Sequence, residues 1–227
     1  MAIGIQIALV IALTVLAINV VAGRITLCGM CGLGKPRIKF HDREFLPMGL
    51  GELPGAAQRH FASLTPQMLA TGFCQIGDYL LSRKPFLSHV RYFVSPDGRT
   101  FGTISYWKIG LIHRKATFGF VSVLADGTYV ESSPETAPKV RGPSARLLYF
   151  EGLPGASVEE LYRFHQDRTD ACAAEYGTEP RVFQSEQFRD VGNYGHRLSY
   201  WSLHMQGYPV EPPPQEEIAT FADGPVG

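Results

Sequence analysis

An excess of charge of either sign is absent from this chain. Its 227 residues include 21 Lys and Arg and 21 Asp and Glu, so the formal net charge at pH 7 is zero. A protein that binds nucleic acid needs a basic surface to neutralise phosphates, and this composition offers no broad one. We therefore expect no nucleic-acid partner.

Cysteine is also scarce. The four cysteines, Cys28, Cys31, Cys74 and Cys172, are too few to hold a domain of this size together with disulfides. This usage is typical of a protein in a reducing compartment.

Signatures of several enzyme classes are missing as well. The sequence contains no H-E-x-x-H zinc motif, no G-x-S-x-G nucleophile elbow and no glycine loop for phosphates or dinucleotides. The scattered histidines include no pair spaced to hold one metal ion. We predict no metal ion and no cofactor, although an active site assembled from distant residues stays open.

The N-terminus, by contrast, is almost continuously apolar. Residues 1–23 contain only three polar side chains, Gln6, Thr14 and Asn19. A helix of this length matches a hydrocarbon core roughly 30 Å thick. The segment therefore predicts a single-pass transmembrane anchor in contact with the lipid bilayer.

A secretory signal cleaved after Ala22 is the alternative for this segment, and it would give an exported protein. Against it, no Lys or Arg precedes the apolar run, and the run is longer than is usual for a signal. Positive charges from Arg24 to Arg43 follow the run instead. The positive-inside rule then places the rest of the chain in the cytoplasm.

Cys28 and Cys31 form a C-x-x-C pair directly after the predicted anchor. This spacing serves redox catalysis when the motif follows a strand and opens a helix, because the helix start lowers one thiol pKa. Here the motif follows an apolar segment and runs into Gly32 and Gly34. The pair is a catalytic candidate, and the context favours two incidental thiols beside a linker.

Proline and glycine divide the remaining chain into a linker, one domain and a tail. Residues 24–54 lack a hydrophobic period and predict a juxtamembrane linker with little regular structure. Residues 55–208 predict one α+β domain. Residues 209–227, which include three consecutive prolines, predict a disordered tail.

Strand signals dominate the first part of the predicted domain. About six strands are expected, at residues 73–81, 89–94, 100–107, 115–124, 128–132 and 145–150. Asp-Gly turns that end at Gly98 and Gly127 join two pairs of these strands as hairpins. The expected sheet is an antiparallel meander.

Helix signals flank the strands. Two short helices are predicted at residues 55–63 and 65–72. Two long ones follow the sheet, the first from a capping box of Ser157 and Glu160 to residue 176, the second from about residue 185 to 206. We expect the two C-terminal helices to pack against the sheet.

His165 falls on the apolar stripe of the first long helix, whereas Gln166, Asp167 and Asp170 face away. A buried imidazole with a shifted pKa can act as a general base. The favoured alternative is a core histidine bonded to a strand carbonyl.

Aromatic residues are concentrated on the predicted meander. Because side chains alternate between the two faces of a strand, the face away from the helices is expected to present an apolar surface for a ligand or a protein. Its candidates are Phe93, Phe101, Phe118 and Phe120. Coverage of both faces is the alternative.

These observations favour a membrane-anchored binding or interaction module. The alternatives are a membrane-tethered enzyme that uses His165 or the Cys28 and Cys31 pair, and an exported protein.

Overall fold

Long antiparallel strands form the centre of the structure. The computed structural model describes residues 40–83, 86–109, 113–135, 148–208, 210–214 and 218. All described elements belong to the unit formed by residues 40–208 and 212–227. The predicted anchor at residues 1–23 lies outside the described residues.

The described residues contain a seven-stranded sheet whose spatial order equals the order along the chain. The strands are β1 (Glu44–Pro47), β2 (Cys74–Arg83), β3 (Phe86–Val94), β4 (Phe101–Ile109), β5 (His113–Val123), β6 (Tyr129–Ser133) and β7 (Leu148–Gly152). Each neighbouring pair from β1 to β6 is antiparallel, and β7 joins β6 in parallel.

The predicted hairpins are confirmed, and the predicted strand count is too low. Gly98 and Gly127 take positive φ values of 70° and 85° in the turns, where a side chain would be strained. The missed strand, β1, lies within the segment predicted to lack regular structure. Its four residues are too few to show a period and are ordered by pairing with β2.

Three α-helices accompany the sheet in the described residues: α1 (Gly55–Ala70), α2 (Val158–Tyr176) and α3 (Phe188–Met205). Helix α1 replaces the two short helices predicted at residues 55–63 and 65–72. It continues through Pro66 because Phe61 and Met68, on either side of that proline, are both buried against the sheet.

The predicted capping box of α2 is present. The Ser157 hydroxyl accepts a hydrogen bond from the Glu160 amide, and Gly177 ends the helix in the left-handed conformation. This agreement reflects local interactions, which depend on few residues and are readable from spacing.

The helices cover both faces of the sheet. Helices α1 and α2 bury one face, which we call the α1/α2 face, with Phe61, Met68 and Leu161 in its core. Helix α3 crosses the other, the α3 face, and contributes Val191, Tyr194 and Leu198. The two predicted C-terminal helices therefore lie on opposite faces of the sheet.

One residue of the predicted tail also packs against the α3 face. Ile218 is buried in the same core as Val123 and Leu198. At this position the chain is packed, contrary to the predicted disorder, because an isoleucine side chain gains free energy when it leaves water.

Among the described residues, no helix combines the length and the apolar character that crossing a bilayer requires.

The two glycines inside α3 let aromatic rings of the sheet approach the helix backbone. A Cβ built on Gly195 would lie 2.3 Å from the Tyr129 hydroxyl, and one on Gly192 would lie 3.0 Å from the Phe45 ring. The intrinsic cost of glycine in a helix, roughly 1 kcal/mol relative to Ala, is thus offset by closer packing.

We predict that Gly195→Ala destabilises the protein by about 1–3 kcal/mol, because the added methyl group overlaps the Tyr129 ring. Chemical denaturation monitored by circular dichroism would measure this loss. Gly55→Ala is the matched control, since a Cβ there meets only the Arg59 side chain at 3.9 Å. If Gly195→Ala were as stable as Gly55→Ala, the Tyr129 ring could not lie as close to Gly195 as described.

Candidate functional site

The predicted candidate His165 lies at the centre of a buried hydroxyl network between α2 and the sheet. Its Nε2 is 3.0 Å from Ser122 Oγ on β5, and its Nδ1 is 3.0 Å from Ser132 Oγ on β6. Thr100 Oγ1 lies 3.0 Å from Ser122 Oγ. The partners are thus strand hydroxyls instead of the expected strand carbonyl.

Counting donors assigns the tautomer of this imidazole. The Ser122 hydroxyl donates to the Arg99 carbonyl at 2.9 Å, so its oxygen accepts from His165 Nε2–H. His165 Nδ1 then accepts from the Ser132 hydroxyl. Every polar atom of the ring is satisfied while the imidazole is neutral.

The environment of His165 keeps it neutral and out of reach. The side chain is 0% exposed, and burial lowers its pKa to about 3. A general base must contact the proton that it removes, and here both ring nitrogens bond to core hydroxyls. The arrangement is that of a core histidine that joins α2 to β5 and β6.

A buried ion pair on the same face performs a similar joining role. The Arg91 guanidinium donates to both carboxylate oxygens of Asp78, at 2.6 and 2.7 Å, and to Thr65 Oγ1 at 2.8 Å. Its carbon lies 5.2 Å from the centre of the Phe61 ring. These contacts connect β2 and β3 to α1.

The four phenylalanines of the predicted apolar surface do not share one face. Phe93 and Phe120 are buried in the core of the α1/α2 face, with Phe118 partly buried beside them. Phe101 is buried in the core of the α3 face. Cross-strand register explains the separation, because Phe101 is directly opposite Val121 and Phe120 opposite Gly102.

The cysteines show no paired site in the described chain. Cys28 and Cys31 lie outside the described residues. Cys172 is buried beside Leu124 and Val130, and burial raises the pKa of its thiol. In the described ranges, no group of three or more His, Cys, Asp or Glu side chains is placed to hold a metal ion.

The strongest candidate site lies on the α3 face, around Glu131 of β6. Glu131 is partly buried and shares its strand face with the buried Tyr129. Burial raises the pKa of Glu131 to about 7, against the lowering effects of Arg43 and of a hydrogen bond with Tyr129. A carboxyl in this state changes charge near neutral pH.

Two phenols border this carboxyl. Burial raises the pKa of Tyr92 to about 12 and that of Tyr129 well above 10, and the Glu131 charge acts in the same direction on both. The charge of Arg43 instead lowers the pKa of Tyr92, Tyr129 and Glu131. Both phenols are therefore neutral hydrogen-bonding groups at physiological pH.

The α3 helix and the chain before β1 position these groups. Gly195 of α3 gives space to the ring of Tyr129, and Gly192 gives space to the ring of Phe45, close to the Tyr92 hydroxyl. The Arg43 amide donates to the Asn193 side chain of α3 at 3.0 Å, which holds the arginine beside the helix. We call Arg43, Tyr92, Tyr129 and Glu131 the Glu131 site.

An aromatic cluster adjoins the Glu131 site. The Tyr92 ring lies 4.7 Å from Phe188 and 5.9 Å from both Phe45 and Tyr79, measured between centroids. The Arg189 guanidinium lies 5.7 Å from the Tyr79 ring and 5.6 Å from the Phe188 ring. These rings already attract one cation through their faces.

Sequence reasoning missed the Glu131 site, although one signal was present. Tyr129 and Glu131 are two residues apart in a strand, so alternation places the carboxyl on the face that buries the tyrosine. Arg43 comes from the segment predicted to be a linker, and its proximity follows only from the path of the chain along α3. That path has no signature in local sequence.

The comparisons add no relative to this description: neither a protein-family model, nor a curated protein, nor a solved structure matches the chain.

Proposed function

We propose that this protein is a membrane-tethered binding module whose ligand site is the Glu131 site. The observation that carries the proposal is a partly exposed carboxyl beside neutral phenols and an arginine, on a face otherwise occupied by aromatic and aliphatic side chains. The tether is residues 1–23, and the domain faces the cytoplasm in this proposal.

Stability alone does not account for a carboxyl in this position. When folding raises the pKa of an acid, ionising that acid above pH 7 lowers the stability of the folded protein. An apolar or amide side chain at the same position would avoid this loss of stability. Groups kept at such a cost are concentrated at functional sites. The hydroxyl network of His165 and the Asp78–Arg91 pair, by contrast, are fully satisfied.

The chemistry of the site favours an organic cation as the ligand. Glu131 supplies a carboxylate acceptor, and the partly exposed ring of Tyr79, which packs against the buried rings of Tyr92 and Phe188, attracts cations. Arg189 occupies part of this ring system from within the chain. An ammonium group on an apolar or aromatic body would complement both the carboxylate and the rings.

We expect Glu131→Gln to stabilise the free protein at pH 8 and to abolish cation binding. The gain in free energy of unfolding should be about 3 kcal/mol at pH 8 and vanish below pH 4.5, because the folded-state pKa is about 7 and the ordinary value is 4.5. Denaturation of the full chain in detergent at both pH values would measure it.

Binding would be tested by thermal shift with choline, phenethylammonium and spermidine as probes. Wild type should be stabilised by at least one of them, increasingly as the pH rises through 7, and Glu131→Gln should not. Glu175→Gln, on an exposed position of α2, controls for the loss of one carboxylate. Equal shifts in wild type and Glu131→Gln, or no shift in wild type, would count against the site.

A further inference from the structure

The C-terminal end of α3 carries an exposed apolar surface. Trp201 is partly buried against the core of the α3 face, whereas Met205 is 44% exposed and Tyr208 is 56% exposed. From residue 198 to residue 208 the sequence contains no Asp, Glu, Lys or Arg. Exposed apolar side chains that lie close together mark contact surfaces, whereas single ones are common on any protein.

Backbone hydrogen bonds fix the shape of this surface. The Gly207 amide donates to the His204 carbonyl at 2.9 Å, and the Tyr208 amide donates to the Leu203 carbonyl at 3.1 Å. Gly207 has a φ of 81°. This pairing is a Schellman motif, which turns the chain back at the end of the helix and fixes the position of Tyr208.

The described chain begins beside the same end of α3. The Phe40 ring lies 5.3 Å from the Tyr200 ring, and Arg197 forms an ion pair with Asp42 at 2.6 Å. Arg43 is bonded further back, at Asn193. Followed from residue 43 back to residue 40, the chain therefore runs along α3 in the direction of Trp201 and Met205.

The distance between this surface and the proposed anchor is limited by the covalent chain. Residues 24–39 connect residue 23 to Phe40, and sixteen residues span at most about 55 Å when fully extended. The connecting chain is therefore long enough for the exposed end of α3 to contact the bilayer that holds residues 1–23 in this proposal.

We propose that Trp201, Met205 and Tyr208, which we call the α3 tip, insert into the surface of that bilayer. This inference rests on the proposed tether and adds a second, peripheral contact with lipid. Trp and Tyr favour the interface between headgroups and acyl chains, and methionine adds a flexible apolar side chain. Because the tip lacks formal charge, neutral lipid suffices.

The two tryptophans of the chain provide the test. Trp107 is 40% exposed on β4, where its register partners are Ser88 and Lys115. The full-length variants Trp107→Phe and Trp201→Phe each retain one tryptophan. Both would be reconstituted into phosphatidylcholine vesicles with brominated acyl chains, which quench fluorescence only within the bilayer.

We expect the brominated lipid to quench Trp201 strongly and Trp107 little. Iodide in the aqueous phase should instead quench Trp107 more strongly than Trp201. Adding Met205→Ser and Tyr208→Ser to the protein that retains Trp201 should lower the lipid quenching by about half or more. Leu69→Ser with Val182→Ser is the matched control, since these side chains are 48% and 50% exposed elsewhere.

Vesicle flotation of the same samples separates the two proposals. Flotation without quenching of Trp201, or with equal quenching of both tryptophans, would overturn insertion of the α3 tip and leave the tether intact. Failure to float would overturn the tether and, with it, this inference.

Discussion

Replacing Asp78 by Ala should lower the free energy of unfolding by about 3–5 kcal/mol, because Arg91 would keep a buried charge without its carboxylate. The side chains of Arg91 and Asp78 are only 8% and 4% exposed, so water cannot compensate the arginine. Urea denaturation of the purified protein would measure the loss as a lower midpoint with an unchanged slope.

The double replacement Asp78→Leu with Arg91→Met distinguishes a charge effect from loss of packing. Because it removes both charges, it should recover most of the lost stability, as buried pairs generally contribute little beyond an apolar pair of similar volume. A double variant as unstable as Asp78→Ala would show that the hydrogen bond to Thr65, not the charge balance, is decisive.

Acid should destabilise the protein through His165, by about 4–5 kcal/mol between pH 6.5 and pH 3. The folded-state pKa of His165 is about 3 and the ordinary value is 6.5. Between these pH values the unfolded chain binds a proton at this residue and the folded chain does not, which favours unfolding. This destabilisation is absent well above pH 6.5 and grows as the pH falls towards 3.

His165→Gln removes this proton linkage and should flatten the acid limb of the stability curve. At pH 7 it should cost about 1–3 kcal/mol, because Gln cannot satisfy both Ser122 and Ser132. Glu131 contributes the opposite slope between pH 4.5 and 7, so the difference between variant and wild type, not either curve alone, isolates the histidine.

His204→Gln, an exposed position on α3, controls for the loss of one imidazole. Denaturant midpoints at half-unit pH steps from 3 to 8 would supply the curves. If His165→Gln had the same acid dependence as wild type, the imidazole would have to be accessible to protons in the folded state.

Local signals in the sequence predicted much of this fold, and long-range pairings were the part they could not supply. Ser157 and Glu160 begin a helix as expected, since a cap depends on neighbours three residues apart. Gly98 likewise marked a turn. In contrast, β1 and the parallel pairing of β7 depend on partners distant in sequence, which composition and period do not encode.

The candidate residues show the same limit. Burial of His165 followed from its place on an apolar stripe, but its two serine partners come from β5 and β6 and depend on sheet register. The phenylalanines were assigned to one face because their register was unknown. To identify the Glu131 site, one must know which face of the sheet α3 covers, and that depends on contacts between segments distant in the sequence.

The lengths of the strands have a consequence for many copies of this chain at high concentration. Four of the five inner strands, β2 to β5, have 9–11 residues, whereas the edge strands β1 and β7 have four and five. Pro47 removes one amide donor from β1. Short edges give neighbouring molecules few unpaired backbone groups to extend into a shared sheet, so crowding should not lead to aggregation through strand addition.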